Sequence, residues 1–135
     1  MQFTTLSSNL LLSITGAFLL LLPVPASASP DCSSSCGNVD TTNLVAARDA
    51  LLYNIGCRDR GAGVMYNGGN TVAQTADGGA KAVFGTPGGV AIYLACSEVE
   101  DRIQSVITSC SSQGGGHELM GDRCAGVTAC GDPLC

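Results

Sequence analysis

The strongest constraint on this chain is its set of eight cysteines. No two of them are adjacent, and the last one is the final residue. An even number of cysteines in a short exported protein is typical of a disulfide framework. We therefore predict that all of them form bridges: Cys32, Cys36, Cys57, Cys96, Cys110, Cys124, Cys130 and Cys135. Their spacing leaves the pairing open, because eight cysteines allow about 105 connectivities.

The N-terminal segment indicates export. Residues 10–22 read LLLSITGAFLLLL, an apolar run that is shorter than a membrane span of about 20 residues and typical of a signal-peptide core. The small residues Ala26-Ser27-Ala28 follow, so we place cleavage after Ala28. Because no Lys or Arg precedes the run, a signal anchor is the alternative. We predict a signal peptide over residues 1–28, a single disulfide-rich domain over residues 29–135, and a secreted, extracellular protein.

The formal net charge of −5 limits the class of partner. Nucleic acids and anionic membranes both attract clustered Lys and Arg, whereas the densest basic stretch, CRDRG, contains Asp59 between its two arginines. We therefore expect no nucleic-acid partner. Because no second long apolar run follows the first, we also expect no membrane span in the mature form. We expect a monomer.

The first predicted helix lies in DTTNLVAARDALLYNIGC, over about residues 41–56. Asp40 or Thr41 can cap its start, and Gly56 is typical of a C-terminal stop. Its apolar residues recur at helical spacing: Leu44, Ala47, Leu51, Leu52 and Ile55.

The second predicted helix lies in SEVEDRIQSVITSC, over about residues 98–110. Ser97 and Glu100 match the capping box Ser-x-x-Glu. A bridge at Cys110 would fasten the helix to the sheet, because this cysteine ends the apolar stripe. The stripe comprises Val99, Ile103, Val106, Ile107 and Cys110, while Asp101, Arg102, Gln104 and Ser105 are expected to face away.

The remaining segments predict strands. GVMYN, TVAQTA and AKAVF are separated by glycine-rich breaks and favour hairpins. VAIYLAC, residues 90–96, has almost no polar residue on either face, which favours a central strand. The tail after SSQGGG is poor in apolar residues, so we expect it to be irregular, with one short strand around GVTAC. The fold class is therefore α+β, a two-layer sandwich of an antiparallel sheet of about 3–5 strands with two helices.

The sequence contains few candidate residues for metal binding or catalysis. His117, Cys124, Cys130 and Cys135 are possible zinc ligands, but their spacing lacks a CxxC knuckle and thiols pair in an oxidising compartment. HELMG lacks the second histidine of a metalloprotease motif, and no glycine-rich phosphate motif occurs. We predict no catalytic, cofactor-binding or metal-binding residue, and no enzyme. A pair of Asp or Glu side chains is the one catalytic alternative that stays open.

Stacking of sugars on aromatic rings is also disfavoured. The predicted mature chain contains no Trp, and its aromatic residues are Tyr53, Tyr66, Phe84 and Tyr93. Tyr53 and Tyr93 belong to elements that need core material, so we expect few exposed rings.

A family resemblance comes from GGVAIYLACSEVEDRIQSVITSCSSQGGG together with the earlier helix that ends at Cys57. This order of apolar strand, cysteine, amphipathic helix, cysteine and glycine-rich loop resembles small cysteine-rich secreted proteins of fungi, of the killer-toxin-like (KP4/KP6-type) and Hce2-type α/β sandwiches. The resemblance covers roughly residues 40–116. It implies a fungal source, export during host colonisation or competition, and no catalysis. It carries over no functional residue.

Three functional hypotheses follow. The first is a non-catalytic effector of a plant-associated fungus that binds a host component in the apoplast or at the host interface. The second is an antimicrobial or killer-type toxin acting on competing cells, although membrane-active toxins are commonly cationic and this chain is acidic. The third is a small secreted hydrolase with a carboxylate pair. The partner is an unknown host or competitor protein or surface component.

The disulfide framework leads to a prediction about stability. Bridges contribute about 2–4 kcal/mol each, which for four bridges matches the ~5–15 kcal/mol stability of a typical domain. We expect a strong reductant to unfold the protein, as measured by circular dichroism. A reduced protein that keeps its folded spectrum would show that the core is sufficient alone. A thiol reagent should label nothing in the denatured, unreduced protein.

Overall fold

A computed structural model describes residues 28–32, 36–131 and 135. The predicted signal peptide, apart from Ala28, lies outside these residues. The described chain forms two helices, α1 (Thr41–Asn54) and α2 (Cys96–Cys110). Six strands accompany them: β1 (Gly63–Tyr66), β2 (Gly69–Gln74), β3 (Lys81–Thr86), β4 (Ile92–Ala95), β5 (Gly115–Met120) and β6 (Arg123–Thr128).

The strands form two antiparallel sheets. The main sheet has four strands in the order β2-β3-β6-β5, and β1 pairs with β4 in a separate two-stranded sheet. Both helices contact one face of the main sheet. The predicted α+β architecture with two helices is confirmed, and the two-stranded sheet is an addition that the sequence did not predict.

The ends of α1 follow directly from the sequence. The Asp40 carboxylate accepts a hydrogen bond of 2.8 Å from the backbone N–H of Thr42, which confirms the predicted cap. Gly56 has a φ of 91°. Its N–H donates to the Tyr53 carbonyl at 3.1 Å, and the Cys57 N–H donates to the Leu52 carbonyl at 2.8 Å. This pair of bonds is a Schellman motif, in which a left-handed glycine ends the helix.

The start of α2 differs from the prediction. The helix begins at Cys96, its N-cap is Ala95, and no side chain caps it. The Cys96 N–H donates instead to the Ala62 carbonyl at 3.1 Å, so the loop between α1 and β1 satisfies this backbone donor. The predicted Ser97–Glu100 capping box is therefore wrong, because β4 runs directly into the helix and Ser97 already lies in its first turn.

The core lies between the helices and the main sheet. All five stripe residues of α2 are buried, as predicted: Val99, Ile103, Val106, Ile107 and Cys110. From the sheet, Phe84 is fully buried and packs edge-to-face on Tyr66, with ring centroids 5.2 Å apart. Three further inward residues of β3 and β6 are fully or almost fully buried against the helices: Ala82, Ala125 and Val127.

Glu118 is a buried charge at this interface. It lies in the same cross-strand row as Phe84 and Ala125, facing the helices, and is 2 % exposed. Its Oε1 accepts from Arg102 Nη1 at 2.5 Å, while its Oε2 has no hydrogen-bond partner among the described residues. Arg102 therefore does not simply face away from the core, because its guanidinium neutralises a carboxylate inside it.

The segment predicted as a central strand has a different position. Only Ile92–Ala95 forms a strand, and it pairs with β1 alone. Leu94 is buried, whereas Tyr93 is 68 % exposed and Val90 is 64 % exposed. The central position was wrong because one face of this strand packs on the core and the other meets solvent, although both faces carry apolar residues.

The tail is more regular than predicted. It forms β5 and β6, and β6 lies in the interior of the main sheet. β5 begins with two glycines and β6 carries Ala125 and Gly126 at its centre, which weakens the apolar alternation by which strands are recognised in a sequence. Pairing with β3 on one side and β5 on the other satisfies the backbone of β6.

All eight cysteines form disulfides, which confirms the predicted framework. Cys57–Cys96 joins the end of α1 to the start of α2. Cys32–Cys110 joins the end of α2 to the N-terminal arm rather than to the sheet. The two remaining bridges hold the tail: Cys36–Cys130 attaches it to the N-terminal arm and Cys124–Cys135 attaches the last residue to β6.

Substitutions at the Arg102–Glu118 pair should differ in cost. Arg102→Ala leaves a carboxylate that is 2 % exposed without its cation, and we expect a loss of about 3 kcal/mol in unfolding free energy. Glu118→Gln retains an oxygen for Arg102, so we expect a loss of about 1 kcal/mol. Urea unfolding measures both. Equal losses would show that the buried charge itself has no effect on stability.

Candidate functional site

The residues considered as zinc ligands do not form a metal site. Cys124 and Cys130 form disulfides with different partners. His117 lies on β5, where its backbone forms a bridge with Asp31 through hydrogen bonds of 2.7 and 3.0 Å. Within the described part of the chain, no group of three or more His, Cys, Asp or Glu side chains is arranged to hold a metal ion.

Two acidic side chains, Glu98 and Asp101, line an open groove along α2. It has a volume of about 380 Å³ and is lined by residues of α2: Ser97, Glu98, Asp101, Arg102 and Ser105. Glu98 and Asp101 are both exposed. Carboxylate pairs that hydrolyse glycosides flank the scissile bond across a cleft, whereas these two lie on one helix. The groove does not favour the hydrolase hypothesis, which stays a prediction.

Exposed apolar side chains mark a different surface, on the outward side of the two-stranded sheet. Met65 and Tyr93 are cross-strand partners there, and they are 65 % and 68 % exposed. Val90 and Ala91, which precede β4, are also exposed. We call the exposed pair Met65 and Tyr93 the Tyr93 face.

A glycine positions the aromatic ring of this face. Gly63, which pairs with Ala95, lies on the same side of the sheet as Tyr93. A Cβ at Gly63 would overlap the Tyr93 hydroxyl and ring. The ring therefore lies across the backbone of β1, and any larger residue at this position would displace it.

A second exposed tyrosine, Tyr53, is close in sequence to the Cys57–Cys96 disulfide, as Tyr93 is. Tyr53, in the last turn of α1, is 58 % exposed. The Arg58 guanidinium carbon lies 4.5 Å from its ring centroid, and Arg58 Nη2 donates to the Tyr53 hydroxyl at 3.0 Å. Tyr53 and Arg58 are within four residues of Cys57, and Tyr93 is three residues before Cys96.

An ion-pair network fixes the loop between α1 and β1. Asp49 Oδ1 accepts from Arg48 and Arg60 at 2.9 Å each, and Arg60 also pairs with Glu100 of α2. Burial raises the pKa of Asp49, but hydrogen bonds from Arg48 and Arg60 and their positive charges outweigh it, so this pKa lies below its usual value. Desolvation lowers the pKa of Arg60, but its hydrogen bonds to Asp49 and Glu100 and the negative charges of these two carboxylates outweigh it, so this pKa lies above its usual value.

The arrangement of exposed Tyr, Met and Arg side chains is suited to binding. Tyr, Met and Arg are enriched at protein interfaces, and here they project from backbone that the Cys57–Cys96 bridge holds in place. Tyr53 and Tyr93 belong to sequence segments that need core material, so the sequence does not predict this surface. The role of Gly63 beside Tyr93 could not be predicted, because the pairing of Gly63 with Ala95 cannot be derived from either segment alone.

These features define a small disulfide-stabilised α+β protein with an exposed aromatic and apolar face. No helix in the part of the chain that the structure describes is long and apolar enough to cross a membrane. Neither a protein-family model, nor a curated protein, nor a solved structure matches this chain. The resemblance to killer-toxin-like and Hce2-type proteins therefore stays a prediction.

The ion pairs of Asp49 should make the free energy of unfolding depend on pH. A carboxyl whose folded pKa is depressed contributes stability that is complete above its unfolded pKa and is lost as pH falls through the folded value. We expect Asp49→Asn to cost about 0.5–1 kcal/mol at neutral pH and to cost nothing once the pH is below the folded pKa of Asp49. Unfolding measured across this range tests it. Asp122→Asn in the exposed β5–β6 turn is the control, and a difference that persists unchanged at low pH would contradict the assignment.

Proposed function

We propose that this protein is a secreted, non-catalytic effector of a plant-associated fungus, and that it binds a host component in the extracellular space through the Tyr93 face. The observation that carries the proposal is the joint exposure of Met65 and Tyr93 on a paired strand. Soluble proteins bury most large apolar side chains, so a group of them on one face indicates a partner.

The disulfides support action outside cells. Four bridges in a chain of 135 residues are typical of an oxidising compartment. The apolar run at residues 10–22 provides the export signal that such a compartment requires. The fungal source and the host partner rest on the sequence resemblance alone.

The rigidity of the surface favours recognition of a folded partner. The Tyr93 ring lies against Gly63 of β1, and Tyr93 is three residues before Cys96, which the Cys57–Cys96 bridge links to the end of α1. A pre-organised aromatic side chain loses little conformational entropy on binding, and this increases affinity. The proposed partner is therefore a protein that offers an apolar pocket to the tyrosine ring.

The binding hypothesis predicts a localised loss of affinity. The correctly oxidised protein should capture a host extracellular protein from apoplastic extract. Tyr93→Ala and Met65→Ala should each weaken that complex about tenfold or more. Gly63→Ala should weaken it while retaining Tyr93, because the added methyl displaces the ring.

Leu119→Ala provides the matched control. Leu119 is 54 % exposed, on β5 of the main sheet, so its truncation removes a similar apolar area elsewhere. Equal losses for Leu119→Ala and Tyr93→Ala would reject the Tyr93 face. Growth inhibition of yeast or bacteria, with no effect on host tissue, would favour the toxin hypothesis instead.

A further inference from the structure

The two edges of the main sheet are protected unequally. On the β5 edge, Asp31 and His117 exchange backbone hydrogen bonds, so the N-terminal arm covers the strand. On the other edge, no strand in the described chain lies beyond β2. An uncovered edge presents free N–H and C=O groups to a further strand.

The direction of the free groups can be assigned from the hairpin. In an antiparallel pair, residues that exchange backbone bonds alternate with residues whose groups point away. The Thr75 N–H donates to the Ala80 carbonyl at 3.0 Å, one pair beyond the end of β2. Because the alternation has a period of two residues, Ala73 and Thr71 also direct their N–H and C=O groups toward β3. The residues whose N–H and C=O point to the open edge are therefore Asn70, Val72 and Gln74.

The β2 edge lacks the residues that usually prevent an exposed strand from pairing with another chain. Exposed edges of monomeric proteins typically carry Lys, Pro or a bulge. Residues 67–76 read NGGNTVAQTA and contain no charged residue and no proline. Val72 at the centre of the strand is 57 % exposed, and the Asn70 side chain lies over Gly85 of β3 rather than across the edge.

We propose that the β2 edge is a self-association surface, on which the β2 strand of a second copy of this chain pairs antiparallel about Val72. A two-fold axis at this residue places Val72 opposite Val72 and Asn70 opposite Gln74. Each residue then exchanges both backbone bonds with its partner, and the two main sheets join into one. This proposal is independent of the Tyr93 face and replaces the predicted monomer with a dimer.

The second copy is favoured over a foreign strand by the symmetry of the edge. The outward residues form the sequence polar, β-branched, polar, so the strand is complementary to itself in the antiparallel direction. The net charge of −5 would oppose most contacts between two copies. The uncharged edge brings no like charges together, and β-branched pairs at the centre of an antiparallel ladder are favourable.

Sedimentation equilibrium of the oxidised protein over about 1 µM to 1 mM tests the proposal, since self-association depends on concentration. We expect the mass to rise from that of one chain toward that of two. Val72→Lys places two like charges at the axis and should raise the dissociation constant more than tenfold. Leu119→Lys changes the net charge identically at an exposed site on the covered edge, and should have little effect.

A second variant and a second measurement separate pairing from folding. Val72→Pro removes an N–H that points outward, whereas Ala73→Pro removes one that bonds to β3. The first should abolish the dimer and leave the far-ultraviolet spectrum of the monomer intact. In hydrogen exchange, the Asn70, Val72 and Gln74 amides should become protected as concentration rises.

Three results would overturn the proposal. They are a single-chain mass at every concentration, a dimer that Val72→Lys leaves unchanged, and edge amides that stay unprotected in the dimer. A protein that is monomeric alone, but whose edge amides become protected when a peptide is added, would assign the β2 edge to a foreign strand.

Discussion

The Cys57–Cys96 bridge fixes the geometry on which the rest of this protein depends. Cys57 follows the Schellman turn that ends α1, and Cys96 is the first residue of α2. Both residues are buried, 2 % and 0 % exposed. The bridge therefore sets how the helix layer meets the two-stranded sheet. The Arg60 ion pairs to Asp49 and Glu100 join the same two helices through the intervening loop, so covalent and electrostatic links act in parallel.

Sequence patterns predicted the helices because a helix buries a stripe whose period of 3.6 residues is visible in one segment. The N-termini of the two helices show the limit of such local patterns. Asp40 caps α1 by a bond two residues away, whereas the first donor of α2 is satisfied by Ala62, which lies far back along the chain. A capping box considers only adjacent residues, and for that reason Ser97 and Glu100 gave the wrong start for α2.

Strand positions were less predictable because a strand is defined by its neighbours. The apolar segment around Leu94 had the pattern of a central strand but pairs with β1 alone, while the glycine-containing β6 lies inside the main sheet. The Arg102–Glu118 pair illustrates the same limit. Nothing local to HELMG indicates a buried carboxylate, since its cation comes from the facing helix. The Tyr93 face was missed for this reason too.

Covalent bridges explain how so small a protein can leave large apolar side chains in solvent. A short chain buries a low fraction of its surface, so stability from the core alone is marginal. Here disulfides constrain the unfolded chain instead, and Phe84 with Tyr66 are the aromatic residues committed to the core. Tyr53, Met65 and Tyr93 are each more than half exposed and lie outside this core. The framework thus separates stability from recognition, because side chains on the surface can change while the bridges maintain the fold.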